Sequence, residues 1–175
     1  MNLDEKLQCA LEQMDTDLLD HCMSVRRITV AVCRQMGVDH EILEKAALIH
    51  DIGKVLIPQS ILQKAGPLTQ IERDVVDLHA YIGYRIAKEM DIDDMVCQVI
   101  LLHHGRDKPC IHNKPEVTEQ AVYLAGILHT VDAYEALTSD RPYRERYSEK
   151  EAVEILETEK DSCPEVVSAI KSILP

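Results

Sequence analysis

The sequence has no phenylalanine and no tryptophan, and six tyrosines are its whole aromatic content. Its core must therefore be assembled from Leu, Ile, Val, Ala and Met, within an ordinary hydrophobic fraction of 46%. Glycines number six, and alternating β-branched runs are almost missing, which excludes a turn-rich β architecture and leaves an all-α fold. No apolar run approaches the ~20 residues that span a bilayer, and no leader pattern opens the chain, so a soluble cytoplasmic protein is expected. Positive charge is short: 19 Lys and Arg against 31 Asp and Glu give a net charge of −12. That deficit argues against binding long nucleic acid through its phosphates. Local basic spots can still hold a small phosphorylated ligand. The six cysteines form no C-x-x-C pair and read as small buried hydrophobes in a reducing compartment. At 175 residues the simplest organisation is one domain over 1–175, long enough for a real core.

Apolar periodicity predicts helices at 3–14, 16–36, 40–50, 69–77, 79–90, 93–104, 118–138, 148–158 and 164–173. Gly37 is expected to end the second helix and Asp39 to cap the third. Two long connections remain, 51–68 and 105–117, both punctuated by Gly and Pro. Long ordered loops in a compact domain usually carry function.

Five helical segments each place His or Asp where their apolar stripe calls for a hydrophobe. His21 continues through Val25, Ile28 and Val32, and His50 ends the row Leu43, Ala46, Ala47, with Asp51 next to it. His79 begins the row Ile82, Gly83, Ile86, Met90. His103, followed by His104, ends the row Val96, Val99, Ile100, and Asp132 follows Ala121, Leu124, Ala125 and Leu128. A buried polar group without a partner costs several kcal/mol. One such residue has a local explanation, but seven from five segments have a common one: a metal cluster inside a helical bundle. Imidazoles and carboxylates without thiolates suit Fe, Mn, Co, Ni or Zn. Seven ligands are too many for one ion, so two divalent ions with Asp51 as the bridge are expected. Metals about 3.5–4 Å apart generate hydroxide at neutral pH and clamp phosphoryl oxygens. Lys54, one turn beyond His50, is either a phosphate contact or a solvated lysine.

The run His50-Asp51-Ile52-Gly53-Lys54 resembles the hallmark of the HD superfamily of metal-dependent phosphohydrolases, and the wider pattern is similar to the HD-GYP subgroup, bacterial phosphodiesterases of cyclic di-GMP. The resemblance extends from about Asp17 to Glu157. It is carried by HDIGKVLIPQSILQKAGPLT (50–69), HAYIG (79–83), the His103-His104 pair and VDAYEALTSDRPYR (131–144). It implies an HD-type helical bundle with His21, His50, Asp51, His79, His103, His104 and Asp132 as metal ligands. It also implies Asp51 and Lys54 in catalysis, and Lys54, Arg141 and Arg144 as substrate-phosphate contacts. Asp17, one turn before His21, stands where three-metal members carry an acidic ligand, and equally suits a helix start.

One segment departs from the family. Where the subgroup carries its Gly-Tyr-Pro, this chain has Ile111-His112-Asn113 within Gly105–Asn113. The expected activity is therefore hydrolysis of a phosphoester of a nucleotide or cyclic dinucleotide by a metal-bridging hydroxide, with cyclic di-GMP turned over slowly or not at all. The alternative is a catalytically weak regulatory or ligand-sensing module of the same fold. Of the other candidates, His112 reads as a solvent-exposed loop residue and His40 as structural, while Tyr143 packs a helix end. His129, one turn before Asp132, either orients a ligand through a hydrogen bond or fills a core position.

Overall fold

A computed structural model describes residues 3–105, 115–140 and 145–174, and every regular element among them is helical. In chain order the helices are α1 (Leu3–Leu11), α2 (Thr16–Met36), α3 (Glu41–Ile49), α4 (Gln59–Leu62), α5 (Gln70–Asp77), α6 (His79–Glu89), α7 (Asp94–Leu102), α8 (Glu119–Thr138), α9 (Glu149–Thr158) and α10 (Pro164–Ile173). A 3₁₀ turn at Ile52–Leu56 joins α3 to α4. The span 51–68, expected to be a loop, thus contains two short helical pieces, too short to register as a 3.6-residue period.

The helix starts follow their caps. Asp15 accepts a hydrogen bond from the Leu18 amide at 2.9 Å, and Thr69 with Glu72 and Ser148 with Glu151 form capping boxes. Gly37 ends α2 at φ 68°, the left-handed conformation, and its amide donates back to Arg34 and Cys33. Asp39 accepts from the Glu41 amide at 3.0 Å, although His40 occupies the capping position itself. Helix α1 stops at Leu11, three residues before the expected end.

The long helices α2 and α8 form the spine, with α3 and α10 against α2, and α7 and α9 against α8; α6 closes over α7 and the 3₁₀ turn. Val25, Leu43, Ile49, Ile100, Ile127, Leu128, Leu156 and Ile170 fill the space between them. Each such side chain contributes about 1.5–3 kcal/mol on leaving water. Cys22, Cys33 and Cys97 are buried among these hydrophobes as expected, whereas Cys9 is exposed and Cys163 half-buried. Among the described residues no helix is long and apolar enough to cross a membrane.

Candidate metal centre

Three histidines owe their orientation to one local device. The last turn of a helix leaves carbonyls without amide partners. His50 stands just past α3 and His103 just past α7, while His79 opens α6 directly after α5. Each turns Nδ1 onto the carbonyl three residues earlier: His50 to Ala47 at 2.9 Å, His79 to Val76 at 2.6 Å, His103 to Ile100 at 2.6 Å. A carbonyl only accepts, so Nδ1 carries the proton and Nε2 presents a lone pair. All three Nε2 atoms face the same interior space.

Asp51 lies at the centre of that space. Its Oδ2 is 3.5 Å from Nε2 of both His21 and His50, and its Oδ1 is 3.1 Å from His79 Nε2 and 3.9 Å from His103 Nε2. Asp132 adds Oδ1 at 3.1 Å from His21 Nε2 and 3.7 Å from His50 Nε2. His79 Nε2 stands 3.2 Å from His103 Nε2 and 3.1 Å from His104 Nε2. The seven residues therefore converge, with His21, His50 and Asp132 on one side, His79, His103 and His104 on the other, and a third group, His50, Asp51 and His103, overlapping both; one oxygen of Asp51 faces each side.

The donor set fits cations on two counts. His50 Nε2 and Asp51 Oδ1 are buried and have no hydrogen-bond partner; the His79 ring near Asp51 Oδ1 is within reach but not in hydrogen-bond alignment. Such orphaned atoms cost about 1–3 kcal/mol each unless something else satisfies them. In addition, the Nε2 atoms of His79 and His103 face each other with their protons already committed to carbonyls. Two donors each about 2.1 Å from a shared ion stand about 3.0–3.4 Å apart in octahedral or tetrahedral geometry, close to the imidazole spacings here.

Without cations the two groups differ electrostatically. Burial works against charge on His21 and His50. For His21, hydrogen bonds to Asp132 and Glu135 outweigh it; for His50 the Asp51 and Asp132 carboxylates do, so both pKa values lie above the ordinary value. Burial and the neighbouring His104 hold His103 well below that value, and burial with His79 brings His104 down to about 4. Burial likewise opposes charge on Asp51 and Asp132. Lys54 and His50 overcome it for Asp51, and His21 and His50 for Asp132, keeping both carboxylates ionised.

Lys54 reaches back across the 3₁₀ turn to hydrogen-bond Asp51 Oδ2. Gly53 makes that turn possible: a Cβ there would lie 2.0 Å from the His79 carbonyl oxygen and 2.7 Å from the Gly83 amide nitrogen. Only a glycine lets the Asp51–Lys54 segment pack backbone-to-backbone on α6, which sets Asp51 against His79.

Glu135 is the residue the sequence reading missed. Its Oε2 is 2.6 Å from His21 Nδ1 and its Oε1 accepts from Ser139 at 2.8 Å, so it fixes the remaining ring nitrogen of His21. Its signal was available: it is an acidic residue one turn beyond Asp132 on the inward face. His129, half-buried, donates from Nδ1 to the backbone carbonyl of His103 at 2.9 Å, a contact with the main chain beside the group rather than with a ligand ring. His40 stands 3.8 Å from Glu44, at the start of α3. Asp17 is exposed in the first turn of α2, in the helix-start setting, and belongs to neither group. Arg141, Pro142, Tyr143 and Arg144, together with Lys108, Ile111, His112 and Asn113, lie outside the described residues.

The chain matches the model of the HD domain family over residues 18–137. It is 33% identical over 137 residues to the cyclic di-GMP phosphodiesterase PA4108 of Pseudomonas aeruginosa, covering 76% of this chain and 33% of that one. It is 31% identical over 148 residues to the cyclic di-GMP phosphodiesterase response regulator RpfG of Xanthomonas campestris pv. campestris, covering 82% and 39%. The chain thus spans between a third and two fifths of the length of these curated relatives. In fold it is similar to the HD domain of the Listeria monocytogenes phosphodiesterase PgpH, with a TM-score of 0.68 at 19% identity over 93% of each chain. That domain has also been solved in complex with cyclic di-AMP.

Proposed function

The chain belongs to the HD-domain family, and on that premise we propose that it is a metal-dependent phosphohydrolase acting on a phosphodiester of a nucleotide or cyclic dinucleotide. The observation that carries this reading is the central position of Asp51, one carboxylate oxygen toward each histidine group, with orphaned acceptors around it. His21, His50 and Asp132 would hold one divalent ion of the Fe, Mn, Co, Ni or Zn type and His79, His103 and His104 a second, with Asp51 offering one carboxylate oxygen to each. Two such ions supply Lewis acidity toward a phosphoryl group and acidify water at neutral pH.

The protein's own contribution is placement. Backbone carbonyls fix the ring tautomers of His50, His79 and His103, and the Glu135 carboxylate does the same for His21. Lys54 is held as an ammonium: burial opposes its charge, but Asp51 and Asp132 outweigh it. It therefore acts as a positive charge and hydrogen-bond donor to a phosphoryl oxygen rather than as a base. Arg141 and Arg144 are proposed as further phosphate contacts, their guanidinium forks suited to that geometry. The altered Gly105–Asn113 segment directs the activity away from cyclic di-GMP, since discrimination rests on contacts around the reacting centre.

The test is a phosphodiester panel assayed with Mn²⁺ or Fe²⁺, comparing the unsubstituted chain with Asp51→Ala. Turnover by the former and none by the latter supports the reading. Turnover of no phosphodiester with both metals supplied would favour the sensing module instead.

A further inference from the structure

Beside the metal centre a cleft of about 690 Å³ opens between α4 and α5. Its volume lies within the range that encloses drug-sized ligands. Lys54 forms part of its lining and hydrogen-bonds Asp51, so cleft and metal centre are continuous through one side chain. Val76 does the same through the backbone: it lines the cleft, and its carbonyl accepts from His79 Nδ1.

The walls combine two kinds of surface. Ile61, Leu62 and Leu68 provide an aliphatic face. Against it stand Lys64 and Arg73, which is a concentration of cations unexpected in a chain of net charge −12. The two cations are not equivalent. Lys64 is committed, held by both oxygens of Glu72 at 2.8 and 2.6 Å. Arg73 is exposed, and among the described residues no carboxylate pairs with it. A guanidinium left unpaired beside an aliphatic platform is suited to a phosphate attached to a flat or apolar group.

We propose that this cleft is a second substrate subsite, which receives the half of a dinucleotide that is not being cleaved. The base or sugar lies on the Ile61, Leu62 and Leu68 face, and Arg73 takes the second phosphate. The assignment rests on the phosphodiesterase reading and narrows it. A compound with one phosphate reaches only the Lys54 end and leaves Arg73 without a partner, so the cleft selects substrates that carry two. Arg73 is thereby a specificity-determining residue.

The experiment compares two probes on the metal-loaded chain and its Arg73→Ala variant. One is bis(p-nitrophenyl) phosphate, which has a single phosphate. The other is the best-hydrolysed member of a panel of cyclic di-GMP, 3′3′-cGAMP and cyclic di-AMP. The ratio of kcat/KM for the dinucleotide over the small diester is expected to fall about tenfold in Arg73→Ala, mainly through the dinucleotide KM, with Arg73→Lys intermediate. An unchanged ratio, with both substrates still hydrolysed, overturns the subsite and leaves the phosphodiesterase reading standing. If neither probe is hydrolysed, that reading fails by itself. Calorimetric binding of the three dinucleotides then decides the subsite: about tenfold weaker binding by Arg73→Ala supports it, and equal or no binding overturns it.

Discussion

His21 Nδ1 lies 2.6 Å from Glu135 Oε2, joining α2 to α8 at the point where Asp132, one turn earlier on α8, meets the other nitrogen of the same ring. A carboxylate on the far nitrogen fixes the tautomer and raises the basicity of the near one, an effect worth 10–100-fold in metal affinity or activity in comparable sites. Glu135→Gln preserves the shape but weakens the acceptor. It is expected to lower affinity for one of two bound Mn²⁺ ions by about tenfold, read by competition with a chelator. An unchanged affinity would show that His21 needs no such support.

Gly53→Ala tests the backbone contact that positions Asp51. The new Cβ would meet the His79 carbonyl oxygen at 2.0 Å, and backbone cannot swing aside as a side chain does. Overpacking of this kind costs about 1–3 kcal/mol or more, so Tm is expected to fall by roughly 5–10 °C, with metal content falling alongside. Gly126→Ala is the control, because a Cβ there meets nothing within 4 Å and α8 gains a better helix former. Equal Tm for the two variants would mean that the 3₁₀ turn yields freely.

The long helices and five of the seven inward residues, His21, His50, His79, His103 and Asp132, were legible in the sequence because both depend on local periodicity, whereas Asp51 and His104 stand beside stripe residues rather than on the stripe. A polar residue on the stripe of α2, α7 or α8 is visible without knowing what the stripe faces. What was not legible is what depends on distant segments. Gly53 is one residue of a short run, and only the proximity of His79 and Gly83 on α6 explains it. Ile52–Leu56 and Gln59–Leu62 are too short to show a helical period. Glu135 was legible by the same test that found Asp132 and was passed over, because acidic residues on helices are ordinarily solvated.

The two histidine groups are expected to take up metal with different pH dependence. A ligand must be deprotonated to bind. In the metal-free protein His21 and His50 hold their protons above the ordinary value of 6.5, so loading their group displaces protons and weakens as pH falls through that raised range. His104, at about 4, and His103, also lowered, are already neutral at pH 6, so these two donors release no proton on loading there. Calorimetric titration with Mn²⁺ is expected to show two binding events, one of which weakens more than the other between pH 8 and pH 6. Two events weakening in parallel would contradict this assignment.

Lys54→Ala separates charge stabilisation from metal holding. The side chain hydrogen-bonds Asp51 but belongs to neither histidine group. The variant is expected to retain its metal while kcat falls by about 10²-fold, the scale found when one donor to a developing oxyanion is removed. Loss of metal together with activity would reassign Lys54 to the support of Asp51.

The central claim is that the seven inward residues form one site for two divalent ions bridged by Asp51. Its most direct measurement is the number of Mn²⁺ or Fe²⁺ ions bound per chain, determined by elemental analysis of untagged, reconstituted protein. Two are expected for the unsubstituted chain and fewer than one for Asp51→Ala, with both proteins remaining helical by circular dichroism. No bound metal in the former, or two ions retained by the latter, would contradict it.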